Sequence, residues 1–416
     1  MRAELLERYR ALPLPTTNDE AWRFTNLRGF DPDAFAANGH GQTAVPGDVT
    51  KVQRDTGQTG LAPRLPAVPG TGGLAESLLE IDVAGLATMD VHGITIERGP
   101  KGIRFEPLTD HERLGKLVGT DEKFAAHNAA AWEYGLLVHV PKGVELEQPL
   151  YVRIANPPDG GSRFWRLLVI GEEGSRFSVI EEYAGAPDET AGYSNAVVEI
   201  FVEQAAKVEY VSVQNLARET WHFASHRARV GRDAELDWVA GGFGSKKGKV
   251  RIENDLAGQG ATSRVTGAYF ADGRQHLDYD TFQSHQAPNT TSDFAFKGAL
   301  RDRATAVWRG MIKVEKEAQK TNAYQENRNL LLSPKAHADS IPGLEIEAND
   351  VRCTHGATVS QVDREQLFYA MARGYTRPAA ERLIVRGFFA DVLDRIELDP
   401  VREALGAALE ARIPQA

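Results

Sequence analysis

Gly143-Val-Glu-Leu146, Gly174-Ser-Arg-Phe177, Ala205-Ala-Lys-Val208 and Asp233-Ala-Glu-Leu236 are four similar tetrads. Each places a small or turn residue three positions before an apolar residue that we expect to point inward. The intervals between these apolar residues are 31, 31 and 28 residues. A recurring interval of this size, built from strands with no helices between them, favours the stacked coils of a β-solenoid, because each coil has apolar faces that only its neighbours can cover.

The strand-forming region extends from residue 136 to about residue 360. Short alternating segments follow one another there, separated by Gly, Asp or Pro turns. A flat β-sandwich is the structural alternative. It would explain the alternation equally well, but it predicts no fixed interval.

Helical patterns flank this region on both sides. On the N-terminal side we predict helices over residues 3–11, from about Asn18, over residues 74–79 and over residues 121–134, with an irregular stretch at 39–73. On the C-terminal side Asp363 and Thr376 are predicted caps of two helices, and Asp399-Pro400 starts a third. The sequence therefore predicts three parts: an N-terminal helical region (1–135), a β-helix core (136–360) and a C-terminal helical domain (361–416).

Composition restricts the function further. The 416 residues carry a net charge of -10, which argues against a nucleic-acid surface because phosphate binding needs clustered Lys and Arg. No apolar run approaches the length of a membrane span, and the N-terminus lacks the apolar core of a secretory signal. The single cysteine excludes an internal disulfide. These features predict a cytoplasmic protein.

Cys353 and His355 are the strongest candidates for chemistry. Residues two apart in a strand point to the same face, so a thiolate and an imidazole would lie side by side and share one iron or zinc ion. The alternative is a buried small cysteine beside an unrelated histidine. Two donors also leave a metal incomplete, since structural zinc and iron-sulfur sites generally take four. Either the pair binds no metal, or further ligands come from elsewhere, most plausibly from a partner chain.

Other polar residues have a structural interpretation. His222 and His226 lie in a strand-like segment, and His285 and His337 occur in segments that would approach the site only in the folded chain. The neighbouring carboxylates Glu345 and Glu347 would point to one face of a strand as oxygen ligands, although solvated edge carboxylates are the simpler interpretation.

Motifs for independent catalysis are absent from the sequence. Gly248-Lys249 lacks the preceding Gly and the following Ser or Thr of a phosphate-binding loop, so we expect no ATP to be bound by this chain. Neither a nucleophile elbow nor a zinc-protease motif is present. The sequence therefore predicts a non-catalytic protein.

Several segments resemble the SufB/SufD family of iron-sulfur cluster assembly proteins, and more closely its SufD branch. The segments that carry the resemblance are Glu20-x-Trp22-Arg-Phe24-Thr25-Asn26, Ala287-Pro-Asn-Thr290, Lys297-Gly298, Gln319-Lys-Thr321, Asn327-x-Asn329-Leu-Leu-Leu332, Ser340-x-Pro342-x-Leu344-Glu345-Ile346, Cys353-x-His355-Gly-Ala-Thr358, Phe368-Tyr369 and Arg373-Gly374. The SufB branch is richer in cysteine and has Glu where this chain has Gly356.

The resemblance implies a mainly β fold with a right-handed parallel β-helix core. It also implies a scaffold subunit that pairs with a SufB-like paralogue, with Cys353 and His355 near the contact where a transient iron-sulfur cluster forms. The C-terminal helices would dock a SufC-like ABC ATPase, and the apolar stripe from Ile384 to Ile396 is consistent with such docking. Packing inside the helical domain is the alternative for that stripe.

Two alternatives stay open from the sequence. One is a carbohydrate-active β-helix enzyme, which the missing export signal disfavours. Another is a purely structural docking module that makes no metal contact. The sequence does not decide whether the isolated chain pairs with itself as a homodimer.

Overall fold

The computed structural model describes residues 2–37, 81–90, 92–184 and 188–413. The predicted irregular stretch at 39–73 and the predicted helix at 74–79 lie outside these ranges. Within them the chain forms a parallel β-solenoid of about 8 turns with helices at both ends of the sequence. The predicted fold class is confirmed, and the flat sandwich is excluded.

Two sheets face each other across the interior of the solenoid. The strands are β1 (Ala36–Ala37), β2 (Gly85–Asp90), β3 (Gly93–Arg98), β4 (Arg104–Pro107), β5 (Tyr134–Val140), β6 (Leu150–Ala155), β7 (Gly161–Gly171), β8 (Arg176–Ala184), β9 (Tyr193–Val202), β10 (Lys207–Gln214), β11 (Trp221–Val230), β12 (Glu235–Gly242), β13 (Lys247–Leu256), β14 (Thr262–Ala271), β15 (His276–His285), β16 (Thr291–Leu300), β17 (Thr305–Val314), β18 (Asn322–Leu331), β19 (His337–Ile346) and β20 (Arg352–Gln361).

From β5 onward, strands of odd and even number separate into the two sheets. Sheet A runs β4-β5-β7-β9-β11-β13-β15-β17-β19, with β1 beside β7, and sheet B runs β3-β2-β6-β8-β10-β12-β14-β16-β18-β20. From β5 onward every pairing is parallel, so each coil contributes one strand to each sheet. Strand β2, from the predicted N-terminal region, pairs with β6. The domain boundaries themselves stay a prediction.

The tetrads mark equivalent positions of successive coils. Phe177, Val208 and Leu236 are in-register partners on β8, β10 and β12. The turn residue that opens each tetrad has positive φ: 68° at Gly143, 69° at Gly174, 56° at Ala205 and 51° at Asp233. The turn therefore requires the left-handed conformation in every one of these coils, which explains why small or turn residues recur there.

These in-register residues form a ladder, one residue from each coil of sheet B. The ladder continues through Ser263, Ser292, Ala323 and Cys353. Because side chains alternate across a strand, these residues also point into the solenoid. Cys353 therefore occupies the last position of a ladder that begins in the first tetrads.

The N-terminal segment packs on the outer face of sheet A. Trp22 and Phe124 contact each other and the ring of Phe223, with 4.0 Å between the centroids of Phe124 and Phe223. The helices here are α1 (Arg2–Ala11) and α2 (Lys123–Ala131). The predicted helix from Asn18 is wrong: only a single 3-10 turn, Glu20–Trp22, forms before the chain extends so that Thr25 bonds to His276.

The C-terminal helices cover the outer face of sheet B. They are α3 (Arg364–Ala372), α4 (Arg377–Leu393) and α5 (Asp399–Ala411). The predicted caps are confirmed: Asp363 accepts from the backbone N–H groups of Glu365 and Gln366, and Thr376 accepts from that of Ala379. None of the helices in the described ranges is long and apolar enough to cross a membrane.

Candidate functional site

The solenoid ends in an uncovered coil formed by β19 and β20. Each is the last strand of its sheet, so one edge of each has no paired strand among the described residues. Inward-pointing apolar side chains of this coil are exposed because no further coil of the described chain covers them: Leu344 is 36% exposed, Ile346 40% and Val359 42%. We call this surface the open end. It combines unpaired strand edges with an uncovered core, which is the surface that another chain can extend.

Cys353 lies at the base of the open end and is half-buried. Its side chain packs on a small apolar cluster that includes Ile312, Ala323 and Ala348. Burial raises the pKa of the Cys353 thiol, while the backbone of Ala323 lowers it by a smaller amount. The group is therefore a thiol in the isolated chain at neutral pH, and a bound cation would have to displace its proton.

His355 is two residues further along β20 and is exposed. Alternation along the strand places it on the same inward side as Cys353. Its in-register neighbour is Gln325 on β18, which is fully buried. The predicted side-by-side arrangement of the two donors is thus consistent with the strand geometry, and the imidazole is the more accessible of the two.

In the described part of the chain, Cys353 and His355 are not part of a larger group of metal-binding side chains. Among the described residues no group of three or more His, Cys, Asp or Glu side chains is arranged to hold a metal ion. Assignment of Cys353 and His355 as metal ligands stays a prediction.

His222 and His226 are far from the open end, on β11, and both are buried inside the solenoid. His222 bonds through Nδ1 to Ser194 Oγ at 3.1 Å. Burial lowers the pKa of each imidazole to about 3, so both are neutral core residues. The sequence interpretation of a strand rather than a helix is confirmed here.

His285 is likewise structural. Its ring nitrogens bond to the hydroxyls of Thr290 and Ser292, each at 2.8 Å, and burial lowers its pKa to about 4. His337 is exposed, 3.3 Å from Asp339. It starts β19, whereas His355 lies near the start of β20, and the chain reverses direction between these strands. The two histidines are therefore at opposite ends of the last coil.

The carboxylates Glu345 and Glu347 do not form a pair of ligands. Glu345 is on β19 and forms an ion pair with Lys313 at 3.2 Å on the outer face of sheet A. Glu347 follows the end of the strand. The interpretation as edge carboxylates holds for Glu345.

A second exposed surface lies at the C-terminal helices. An open groove of about 1220 Å³ is bounded by α3, α4 and the end of β20. Its wall carries Phe368, which is 74% exposed, Tyr369, which is 61% exposed, and Leu383. Exposed aromatic side chains of this size are typical of contact surfaces. We call this the helical groove.

The predicted docking stripe on α4 is divided between two roles. Val385, Phe389, Val392 and Ile396 are buried against sheet B and are unavailable to a partner. Ile384 and Phe388 line the helical groove. The predicted apolar face is wide because α4 packs on the sheet with one side and borders the groove with the other.

Three inward residues are exposed against expectation: Leu344, Ile346 and Val359. Their apolar character predicts burial, and only the absence of a further strand segment after Gln361 signals that their coil is the last one.

The family described as SUF system FeS cluster assembly, SufBD core domain, matches residues 153–388. That range covers β7 to β20, the open end and α3, and it ends within α4.

The chain belongs to the SufBD family. Curated relatives agree with this membership. An iron-sulfur cluster assembly SufBD family protein of Mycobacterium tuberculosis is 33% identical over 306 residues, which cover 72% of this chain and 76% of the relative. A protein of the same description from Staphylococcus saprophyticus is 32% identical over 307 residues, which cover 71% of this chain and 66% of the relative. This SufBD-family protein is thus a member of an iron-sulfur cluster assembly family.

Proposed function

We propose that this chain is a SufD-type scaffold subunit that pairs with a SufB-like paralogue through its open end. The observation that carries the proposal is the uncovered last coil, where Leu344, Ile346 and Val359 are exposed beside two unpaired strand edges. A partner that adds its own coil would bury these side chains and pair both edges. Exposed edges of this kind are otherwise a liability for aggregation.

The donor set supports a shared site at that contact. Cys353 and His355 offer two ligands of the four that an iron-sulfur cluster or iron ion generally takes, so the partner would supply the others. The cluster is then cargo assembled between two chains, and this chain contributes no catalytic group of its own.

The helical groove is the proposed docking surface for a SufC-like ABC ATPase. Phe368 and Tyr369 provide exposed aromatic anchors on α3. The neighbouring helix α4 is fixed to the solenoid, because buried Lys297 on β16 donates to the carbonyl of Phe388 at 2.7 Å and pairs with Asp391. Movement of a docked ATPase would therefore be transmitted to the β-helix.

A docking module without metal contact is the second candidate, since no group of three donors occurs among the described residues. The carbohydrate-active alternative has no comparable support, because the family is one of cluster assembly. In the absence of a SufB-like partner, the open end would accept a second copy of this chain.

Co-purification with SufB-like and SufC-like partners, followed by iron and sulfide analysis, tests the shared site. His355→Ala is expected to lower the iron content of the complex several-fold without changing its subunit composition. His337→Ala is the matched control, because it removes an exposed imidazole from the other end of the same coil. If His355→Ala retains wild-type iron and sulfide, the docking module without metal contact is the better description.

Point substitutions test the helical groove better than a deletion would, because removing α4 and α5 would uncover Val211, Val239 and Phe270 on sheet B. We expect Phe368→Ala with Tyr369→Ala to abolish capture of the ATPase while the SufB-like partner still binds. Phe24→Ala, at another exposed aromatic residue, serves as the control. Undiminished ATPase capture by the double variant would place docking elsewhere.

A further inference from the structure

Gln325 is the buried side chain directly next to His355. The two residues are in-register partners on β18 and β20, and both point into the solenoid. Neighbours of this kind lie about 4.8 Å apart along the stack. Gln325 has no exposed surface, whereas His355 is exposed because no described strand stacks on the outer edge of β20. Gln325 therefore occupies the position next to His355 in the previous coil.

The carboxamide of Gln325 is held from three directions. Its Nε2 donates to the carbonyl oxygens of Gly310 at 3.2 Å and of Gly343 at 3.0 Å. Its Oε1 accepts from Nε2 of Gln283 at 3.3 Å. Gly310 is on β17 and Gly343 on β19, so one side chain from sheet B ties the last two strands of sheet A across the interior.

The opposite sheet leaves room for this side chain. A Cβ atom on Gly310 would lie 2.5 Å from Oε1 of Gln325 and 2.3 Å from the ring of Trp308. Both approaches are too close for any side chain larger than hydrogen, so Gly310 is required for the glutamine to reach across.

We propose that Gln325 is a positioning residue for His355. By joining β18 to β17 and β19, it sets the separation of the two sheets at the open end, and with it the orientation of the imidazole that β20 carries. This role rests on the proposed function of His355 at the partner contact. The role of Gln325 extends that proposed function, because it assigns a buried, uncharged side chain to the same site.

The chain contains a matched control for the structural part of this role. Gln275 is also buried, and its Nε2 donates to the carbonyls of Phe243 at 3.2 Å and Ser245 at 3.0 Å. Its Oε1 accepts from the N–H of Asp272 at 3.0 Å. It makes the same number of hydrogen bonds as Gln325, but on earlier coils. Loss of either carboxamide should therefore cost similar stability.

The test compares Gln325→Met with Gln275→Met in the full-length chain. Methionine keeps the length of the side chain and removes its hydrogen bonds. The imidazole resonances of His355, assigned with His355→Ala, are followed by NMR, and denaturant midpoints are measured in parallel. We expect both variants to lose stability to a similar extent and only Gln325→Met to shift and broaden the His355 resonances. Unchanged His355 resonances in Gln325→Met, or equal changes in both variants, would overturn the proposal.

A second measurement separates this proposal from the function on which it rests. In the complex with SufB-like and SufC-like partners, Gln325→Met is expected to retain about tenfold less iron than Gln275→Met, as the loss of one to two hydrogen bonds at a site would give. If Gln325→Met disturbs the His355 resonances but His355→Ala retains iron normally, the positioning role stands and the metal role of His355 fails.

Discussion

Glu181 is a buried carboxyl group inside the solenoid, on the inward face of β8. It accepts hydrogen bonds from Trp165 Nε1 at 2.5 Å and from the hydroxyls of Tyr183, at 2.9 Å, and Tyr210. Burial raises its pKa to about 7, and these donors only partly oppose that effect. The group therefore changes charge near neutral pH in the centre of the core.

This pKa makes the stability of the chain depend on pH with a defined sign. The folded chain keeps the Glu181 proton up to about pH 7, whereas the unfolded chain releases it above the ordinary value of 4.5. The stabilising contribution is complete below pH 4.5 and is lost as pH rises to 7. Glu181→Gln cannot ionise, so between pH 4.5 and 8.5 it should gain about 3 kcal/mol relative to wild type.

Urea unfolding of both proteins at several pH values measures this difference. The buried histidines are common to both proteins, so their effects cancel in the comparison. A difference that stays constant with pH would show that Glu181 is ionised in the fold throughout.

For single residues, the sequence predicted the inward ladder only as far as Leu236. The next ladder positions are Ser263 and Ser292, which are buried although they are polar. A pattern based on apolar residues cannot follow such a change. Ser292 is accommodated by a hydrogen bond to His285, a contact between positions seven residues apart that no spacing rule indicates.

At the scale of elements, helix α4 is attached to sheet B by polar as well as apolar contacts. The guanidinium of Arg395, just after the helix, donates to the carboxylate and carbonyl of Asp293, each at 3.0 Å. Lys297 is almost fully buried, and its ammonium group also lies over the ring of Phe388 at 4.8 Å. The buried ammonium group bonds to a helix carbonyl, so it fixes the rotation of α4 about its axis and its distance from sheet B.

Lys297→Met should loosen α4 without unfolding the solenoid. Methionine preserves packing on Phe388 but removes the hydrogen bond to its carbonyl and the ion pair with Asp391, which is free to be hydrated because it is mostly exposed. We expect a loss of about 1–2 kcal/mol, confined to residues 386–393.

Hydrogen–deuterium exchange by mass spectrometry detects this effect as faster exchange in α4. Peptides from β10 to β14 should be unaffected, and they provide the internal control. Uniformly faster exchange over the whole chain would mean that Lys297 stabilises the solenoid itself.

The helices illustrate what local rules predict. Asp363, Thr376 and the Asp399-Pro400 pair marked the three C-terminal helices correctly, because capping is a contact within one turn. The division of the α4 stripe between sheet and groove was not predictable, since it depends on how the helix lies on β14 and β16, which are distant from it in the sequence. The same reason applies to the segment after Asn18, whose conformation is set by its contacts with sheet A.

The whole molecule has two different ends. At the start of the solenoid, one antiparallel strand ends each sheet: β3 pairs with β2, and β4 pairs with β5. At the other end the parallel stack simply stops at β19 and β20. The repeat interval predicted the stack, but nothing in a repeat indicates which end is covered.

Leu344→Lys combined with Val359→Lys is expected to block the open end. Both side chains are exposed in the isolated chain, so the free energy of unfolding should change by no more than about 0.5 kcal/mol per site. Pairing with a SufB-like partner should be lost, because two ammonium groups would be buried at the contact.

Size-exclusion chromatography and co-purification check this result. Leu6→Lys, an exposed leucine of α1, is the control. A double variant that still pairs would place the contact on another face.

The difference between the two ends also limits how far such chains can grow. A solenoid open at both ends would add copies without limit and form filaments. A solenoid with one closed end can be joined once, head to head, and the product offers no fresh terminus for another molecule. With antiparallel strands β3 and β4 at its first end, the parallel stack would not continue beyond either chain of the proposed pairwise complex, which would stay a finite particle.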